Sequence, residues 1–138
     1  MSLNADLIRE RCMEIEESLE RLGQIARCKK EEFLNSPDLK DIACYRLLIA
    51  IEAALSLCYH VSAKKLKKVP EDYAECFAIL GQAGIIPIDL SFNLQNMARF
   101  RNLLVHMYWK IDYEKVYKII QEDVHMLRNF ANYINNLL

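Results

Sequence analysis

The sequence predicts an all-α protein, an antiparallel bundle of four to five helices that forms a single domain over residues 1–138. Only three glycines and three prolines occur, and they separate segments whose apolar residues recur at helical spacing. The alternation of apolar and polar residues that is typical of half-buried strands does not emerge. With 53% hydrophobic residues, the chain is able to bury a substantial core.

The first predicted helix has one narrow apolar stripe, whose members step alternately by four and three residues. Glutamates and arginines fill the other faces, so this helix should pack along a partner helix. The stripe consists of Ile8, Cys12, Ile15, Leu19, Leu22 and Ala26.

A second helix should begin at about Pro37, in the segment "NSPDL". Ser36 can cap it, proline is favoured at the first helical position, and Asp38 suits the positive end of the helix dipole. The body, "IACYRLLIAIEAALSLCYHV", is apolar nearly all the way round. This helix should therefore be central in the bundle, or buried by a second copy of the chain.

Pro70 should restart a short helix through "EDYAECFAILGQA", which Gly84 is well placed to end. After the connector "GIIPIDLS", Asp89 or Ser91 is expected to cap a fourth helix that stops around residues 109–112.

Asp112 should cap the last helix, with Ile111 and Val116 spaced as a hydrophobic staple. The buried stripe of this helix is expected to consist of Val116, Ile120, Leu127, Phe130, Ile134 and Leu137.

Composition narrows the function classes without choosing one. A net charge of −1 and a pI near 6.3 give no global footprint of a nucleic-acid binder, although a local patch could still bind RNA. Five widely spaced cysteines without a CxxC pair favour reduced, packed thiols over a zinc site. The charged N-terminus excludes a signal peptide, and no apolar run of about 20 residues is evident, so we expect a soluble, cytoplasmic protein without membrane contact.

Within the mostly apolar segment "MARFRNLLVHMYWKID", the eight positions 101–108 contain an arginine, an asparagine, a histidine and a tyrosine. In a regular helix Arg101 and Tyr108 lie on one face, whereas His106 is offset from Arg101 by about 140°. By residue type alone, a hydrogen-bonded structural role is the commoner explanation of such residues. A functional site would require either a loosened helix end near residues 105–108 or completion across a dimer.

The order of residues in "RNLLVHMY", residues 101–108, resembles the R-x4-H-x-Y signature of the HepT-like toxins in the HEPN superfamily. The likeness extends over nearly the whole chain, including the apolar second helix and "FRNLLVHMYWKID". It implies a HEPN-like fold and a metal-independent endoribonuclease toxin without a cofactor. His106 would then be the general acid or base, Arg101 would stabilise the phosphate, and Asn102 would support them.

The resemblance also implies partners. In HepT-like systems, which are type VII-like toxin-antitoxin pairs, a nucleotidyltransferase antitoxin of the MNT type transfers AMP to the motif tyrosine, here Tyr108. HEPN proteins of this kind are homodimers with a shared cleft, which agrees with the large apolar surface of two helices in this sequence.

Two other readings stay open: a catalytically inactive nucleotide- or partner-binding subunit of a two-component nucleotidyltransferase, and a helical interaction domain. Outside the motif, structural roles are favoured. Glu52 should pair with Arg46, His60 or a group of the motif helix, His125 should lie at the surface, and the lysines of residues 64–68 should be a solvated helix end.

Overall fold

A computed structural model describes residues 2–138, which form seven α-helices and no strand. Three helices are long: α1 Ala5–Ala26, α3 Pro37–Val61 and α5 Ile88–His106. Four are short: α2 Lys30–Leu34, α4 Tyr73–Gln82, α6 Tyr113–Glu122 and α7 His125–Asn135. The all-α prediction is confirmed, but the chain has more and shorter helices than the four or five expected.

Helices α1 and α3 both begin with a side-chain cap, and the predicted start of the second helix at Ser36 and Pro37 is confirmed. The Asn4 side chain accepts the backbone N–H of Leu7 at the start of α1. The Ser36 hydroxyl accepts the N–H of Leu39 at 3.1 Å, and Pro37 takes the first position of α3. Such caps satisfy N–H groups that have no partner within the helix.

Helix α3 is the central helix, as its apolar composition predicts. Its main packing partner is α1, and it also contacts α4, α5 and α7. Together with the π-helical turn Ser62–Leu66 it has the length and apolar composition to cross a membrane, contrary to the sequence expectation. Half of its most apolar stretch is nevertheless buried inside the protein, which is typical of a core helix.

The hinge between α4 and α5 differs in detail from the prediction. Helix α4 begins at Tyr73 and not at Pro70, because Asp72 caps it by accepting the N–H of Glu75 at 2.7 Å. Helix α5 begins after Pro87, and Ser91, an expected cap, lies in its first turn. There the Ser91 hydroxyl donates to the carbonyl oxygen of Phe77 at 2.7 Å, which joins the two helices.

The C-terminal segment forms two helices, although no glycine or proline separates them. Asp112 caps α6 as predicted, accepting the N–H of Glu114 at 3.0 Å. The single last helix of the prediction is wrong, because the chain turns at Asp123 and Val124 between α6 and α7. Helix α6 packs on α1 and α2 whereas α7 packs on α1 and α3, and one straight helix could not follow both surfaces.

Candidate functional site

The candidate site lies at the C-terminal end of α5. The helix is regular through His106, and Met107 leaves helical geometry with φ −137° and ψ 44°. A 3-10 turn over Tyr108–Lys110 follows, before the Asp112 cap of α6. The helix therefore ends at least three residues before the predicted stop at 109–112, because the chain turns toward that cap.

Arg101 is held between three helices rather than directed into solvent. Its side chain is only 12% exposed, and its Nε–H donates to the Glu52 carboxylate on α3. The guanidinium carbon lies 4.5 Å from the centre of the Tyr73 ring at the start of α4. This distance is that of a cation–π contact.

Asn102 also contacts Arg101. Its side-chain oxygen accepts an N–H from the Arg101 Nη1 atom at 3.2 Å. Asn102 itself is exposed. The predicted supporting residue is therefore in direct contact with the arginine that it was expected to support.

The structure does not bring His106 to Arg101 within one chain. His106 is exposed at the last turn of α5 and makes no side-chain hydrogen bond or ion pair with residues 2–138. The backbone loosens only at Met107, one residue too late to redirect the imidazole toward Arg101. Of the two arrangements that the sequence analysis requires, completion across a dimer is the one still open.

Tyr108 lies off the helix, so the prediction that it shares a helical face with Arg101 is wrong. Its side chain is 67% exposed and meets the Trp109 ring edge to face, with ring centres 5.4 Å apart. Tyr108 also borders a surface cavity of about 280 Å³. The lining consists of Asp41, Cys44, Tyr45, Leu48, Leu104, Tyr108, Ile111 and Tyr113.

Of the two contacts that Arg101 makes with other helices, the sequence predicted the one with Glu52 in part and the one with Tyr73 not at all. A partner for Glu52 on the motif helix was one of three alternatives, and that partner is Arg101, with the Glu52 side chain 44% exposed. Tyr73 gave no signal at all, since it stands 28 positions before Arg101 in a different helix. Its position directly after the Asp72 cap is the one local feature of Tyr73, and that feature does not indicate a contact with Arg101.

The two histidines outside the motif differ in their surroundings. The His60 Nε2 atom accepts the backbone N–H of Asn4 at 2.9 Å, and burial with the nearby Lys64 charge lowers the pKa of His60. His125 is exposed, as predicted. Within residues 2–138, no three His, Cys, Asp or Glu side chains cluster in a way that could hold a metal ion.

A family model described as "Ribonuclease HepT-like" matches residues 15–134. The chain belongs to the HepT-like family. HepT-like proteins are HEPN ribonuclease toxins, and the motif residues 101–108 lie inside the matched range.

Two relatives show how far the likeness reaches. The mRNA nuclease HepT of Shewanella oneidensis is 25% identical over 126 residues, covering 85% of this HepT-like chain and 92% of the relative. A candidate RNase of Archaeoglobus fulgidus is 30% identical over 131 residues, covering 94% of this chain and 95% of the relative. Both relatives therefore match nearly end to end.

Solved structures confirm the HEPN-like fold. The tri-AMPylated Shewanella oneidensis HEPN toxin, solved in complex with an MNT antitoxin, has a TM-score of 0.87 at 24% identity. That match covers 95% of this HepT-like chain and 98% of the toxin. A cytosolic protein of unknown function from Bacillus subtilis has a TM-score of 0.77 at 17% identity, covering 94% and 90%.

Proposed function

We propose that this HepT-like protein is a metal-independent endoribonuclease toxin that cleaves RNA with Arg101 and His106. The observation that carries the proposal is the motif Arg101-x4-His106-x-Tyr108, complete in sequence, in a chain of a ribonuclease family. Two of its groups, His106 and Tyr108, are exposed and can be reached by a large substrate.

The proposed chemistry uses the ribose 2′-hydroxyl as the nucleophile. Its oxygen forms a bond to phosphorus while the bond from phosphorus to the 5′-oxygen of the next nucleotide breaks. The His106 imidazole takes the hydroxyl proton while water protonates the leaving oxygen, or it protonates the leaving oxygen while water takes the hydroxyl proton. Arg101 stabilises the negative charge that develops on the nonbridging phosphate oxygens, and Asn102 supports Arg101.

We propose further that the active protein is a cytoplasmic homodimer in which the motif residues of both copies line one cleft. Two features support this. Within one chain Arg101 and His106 share no hydrogen bond, and a regular helix offsets them by about 140°. Apolar side chains near the motif, such as Tyr45 and Trp109, are 58% and 66% exposed. Exposed apolar surface of this kind often marks a protein interface.

The ribonuclease proposal predicts a specific product. Purified protein in EDTA should cleave single-stranded RNA and leave 2′,3′-cyclic phosphate ends, whereas DNA of the same sequence should stay intact because it lacks the nucleophile. End groups are identified by mass spectrometry of the fragments. A matched RNA with 2′-O-methyl groups is the control. Its cleavage, or a complete loss of cleavage in EDTA alone, would contradict the mechanism, and intact RNA under all conditions would favour the inactive binding subunit.

Tyr108 is proposed as the site at which a cognate MNT-type nucleotidyltransferase antitoxin attaches AMP. Coexpression with a cognate MNT-type nucleotidyltransferase should add one AMP, or a short chain, to the Tyr108 oxygen. RNA cleavage should then fall about tenfold or more, since repulsion between two like charges near a protein surface reaches a few kcal/mol. Peptide mass spectrometry locates the modification.

The structure offers matched controls for this modification. Tyr108→Phe should abolish the mass increase, whereas Tyr113→Phe, which alters another tyrosine of the same cavity, should leave it unchanged. AMP found on Tyr113 and not on Tyr108 would overturn the assignment.

A further inference from the structure

Arg101 is restrained on three sides by residues from three helices. Glu52 of α3 accepts its Nε–H, Asn102 of α5 accepts an N–H of Nη1, and the Tyr73 ring of α4 lies 4.5 Å from the guanidinium carbon. Each contact restricts a different motion. The ion pair fixes the edge of the guanidinium, and the ring fixes its plane.

The contacts leave donors free. An arginine has five N–H groups, and within residues 2–138 only Nε and Nη1 of Arg101 donate to an acceptor. Nη2 donates to no acceptor in that part of the chain. One of its N–H groups lies on the Nε edge, beside the Glu52 carboxylate, and the other lies on the edge between Nη1 and Nη2, where it can donate to a further acceptor.

Tyr73 is itself supported. It is the first residue of α4, directly after the Asp72 cap, so the start of that helix determines where its ring lies. The Tyr59 ring on α3 meets it edge to face, with ring centres 6.0 Å apart and an interplanar angle of 87°. Burial raises the pKa of Tyr59 to about 12, which keeps that phenol neutral. The ring below Arg101 is thus held by two neighbouring helices.

A long arginine side chain loses conformational entropy when it binds a phosphate. If the protein orders that side chain in advance, the loss does not oppose the reaction step. We propose that Glu52 and Tyr73 are positioning residues that hold the Arg101 guanidinium ready for the RNA phosphate. This inference rests on the proposed ribonuclease function, and it gives a positioning role to two residues outside the motif.

The kinetic test compares two pairs of variants. Tyr73→Leu removes the aromatic face and should lower kcat about 3- to 30-fold with little change in KM, whereas Tyr73→Phe keeps the face and should stay within about twofold. Glu52→Ala should likewise lower kcat, and Glu52→Gln, which retains an oxygen acceptor, should recover part of the loss. Equal activity of Tyr73→Leu and Tyr73→Phe, or of Glu52→Ala and the unmodified protein, would overturn the proposal.

The chain supplies controls remote from the motif. Tyr133 is a 42% exposed tyrosine on α7, and Glu16 pairs with Arg128 through two 2.9 Å hydrogen bonds between α1 and α7. Tyr133→Leu and Glu16→Ala make the same chemical changes as Tyr73→Leu and Glu52→Ala, and they should leave cleavage within about twofold. Since Glu52 is partly exposed, its variants test the proposal even if Tyr73→Leu does not fold.

A second readout does not depend on RNA cleavage. In nuclear magnetic resonance spectra, the Arg101 Nε–H signal should exchange slowly with water and carry a ring-current shift from Tyr73. Tyr73→Leu should remove the shift, Tyr73→Phe should keep it, and Glu52→Ala should accelerate the exchange. Unchanged spectra in all three would overturn the positioning role. If the spectra change as expected but no variant or parent cleaves RNA, the proposed function fails while the restraint of Arg101 stands.

Discussion

His106→Ala is expected to lower the rate of RNA cleavage by about 100- to 10,000-fold, the range that a positioned acid or base supplies. The substitution should leave the fold intact, because His106 is exposed at the end of α5 and makes no side-chain hydrogen bond with residues 2–138. Initial rates on a fluorescent RNA, with circular dichroism as the check on folding, measure both expectations.

His125→Ala is the matched control, since His125 is also exposed but lies on α7. It should retain cleavage within about twofold. If His106→Ala and His125→Ala cleave equally well, His106 is not the acid or base, and a contaminating nuclease becomes the explanation of the activity.

Arg101→Ala is expected to lower cleavage by about 100- to 1,000-fold, the effect of removing one donor that stabilises a developing charge. Arg101→Lys keeps the charge but loses the planar guanidinium and its stacking on Tyr73. Its cleavage rate should therefore lie between the rates of Arg101→Ala and the parent protein. The control is Arg99→Ala, because Arg99 is exposed on the same helix and, within residues 2–138, its side chain bonds only Asn96, one turn earlier, at 2.9 Å. Wild-type rates in Arg101→Ala would contradict the assignment.

The two inactive variants together test where the site is completed. If Arg101 of one protomer serves with His106 of its partner, a mixed dimer of Arg101→Ala and His106→Ala contains one complete site. Random assortment of equal amounts should then restore about a quarter of the parent activity. A mixture that stays inactive would show that each site uses the arginine and histidine of the same chain, which the present geometry separates.

Local signals explain the successful predictions. Ser36 with Pro37 and the Asp112 cap are each contained within four or five residues, so nothing distant has to be known to recognise them. The stripe of α1 and the apolar character of α3 likewise follow from spacing within one helix. The break at Asp123 was missed for the opposite reason, since it depends on which helices α6 and α7 pack against.

For the motif, too, some properties could be predicted from the sequence and others depended on tertiary packing. Its residue order determined the family, and with it the candidate roles of Arg101, Asn102, His106 and Tyr108. The extent of α5 could not be predicted, because the geometry at Met107 depends on how the chain reaches the α6 cap. That single residue decides that Tyr108 leaves the helical face on which regular spacing would place it.

The sequence by itself determined the all-α fold, the helix starts at Pro37 and after Asp112, and the family, because these properties depend on short-range spacing and residue order. The tertiary structure alone decided that Glu52 and Tyr73, 49 and 28 positions away, surround Arg101. It also decided that His106 faces solvent instead of that arginine. The physical reason is that helical periodicity relates residues of one helix only, whereas contacts between helices depend on how the whole bundle packs.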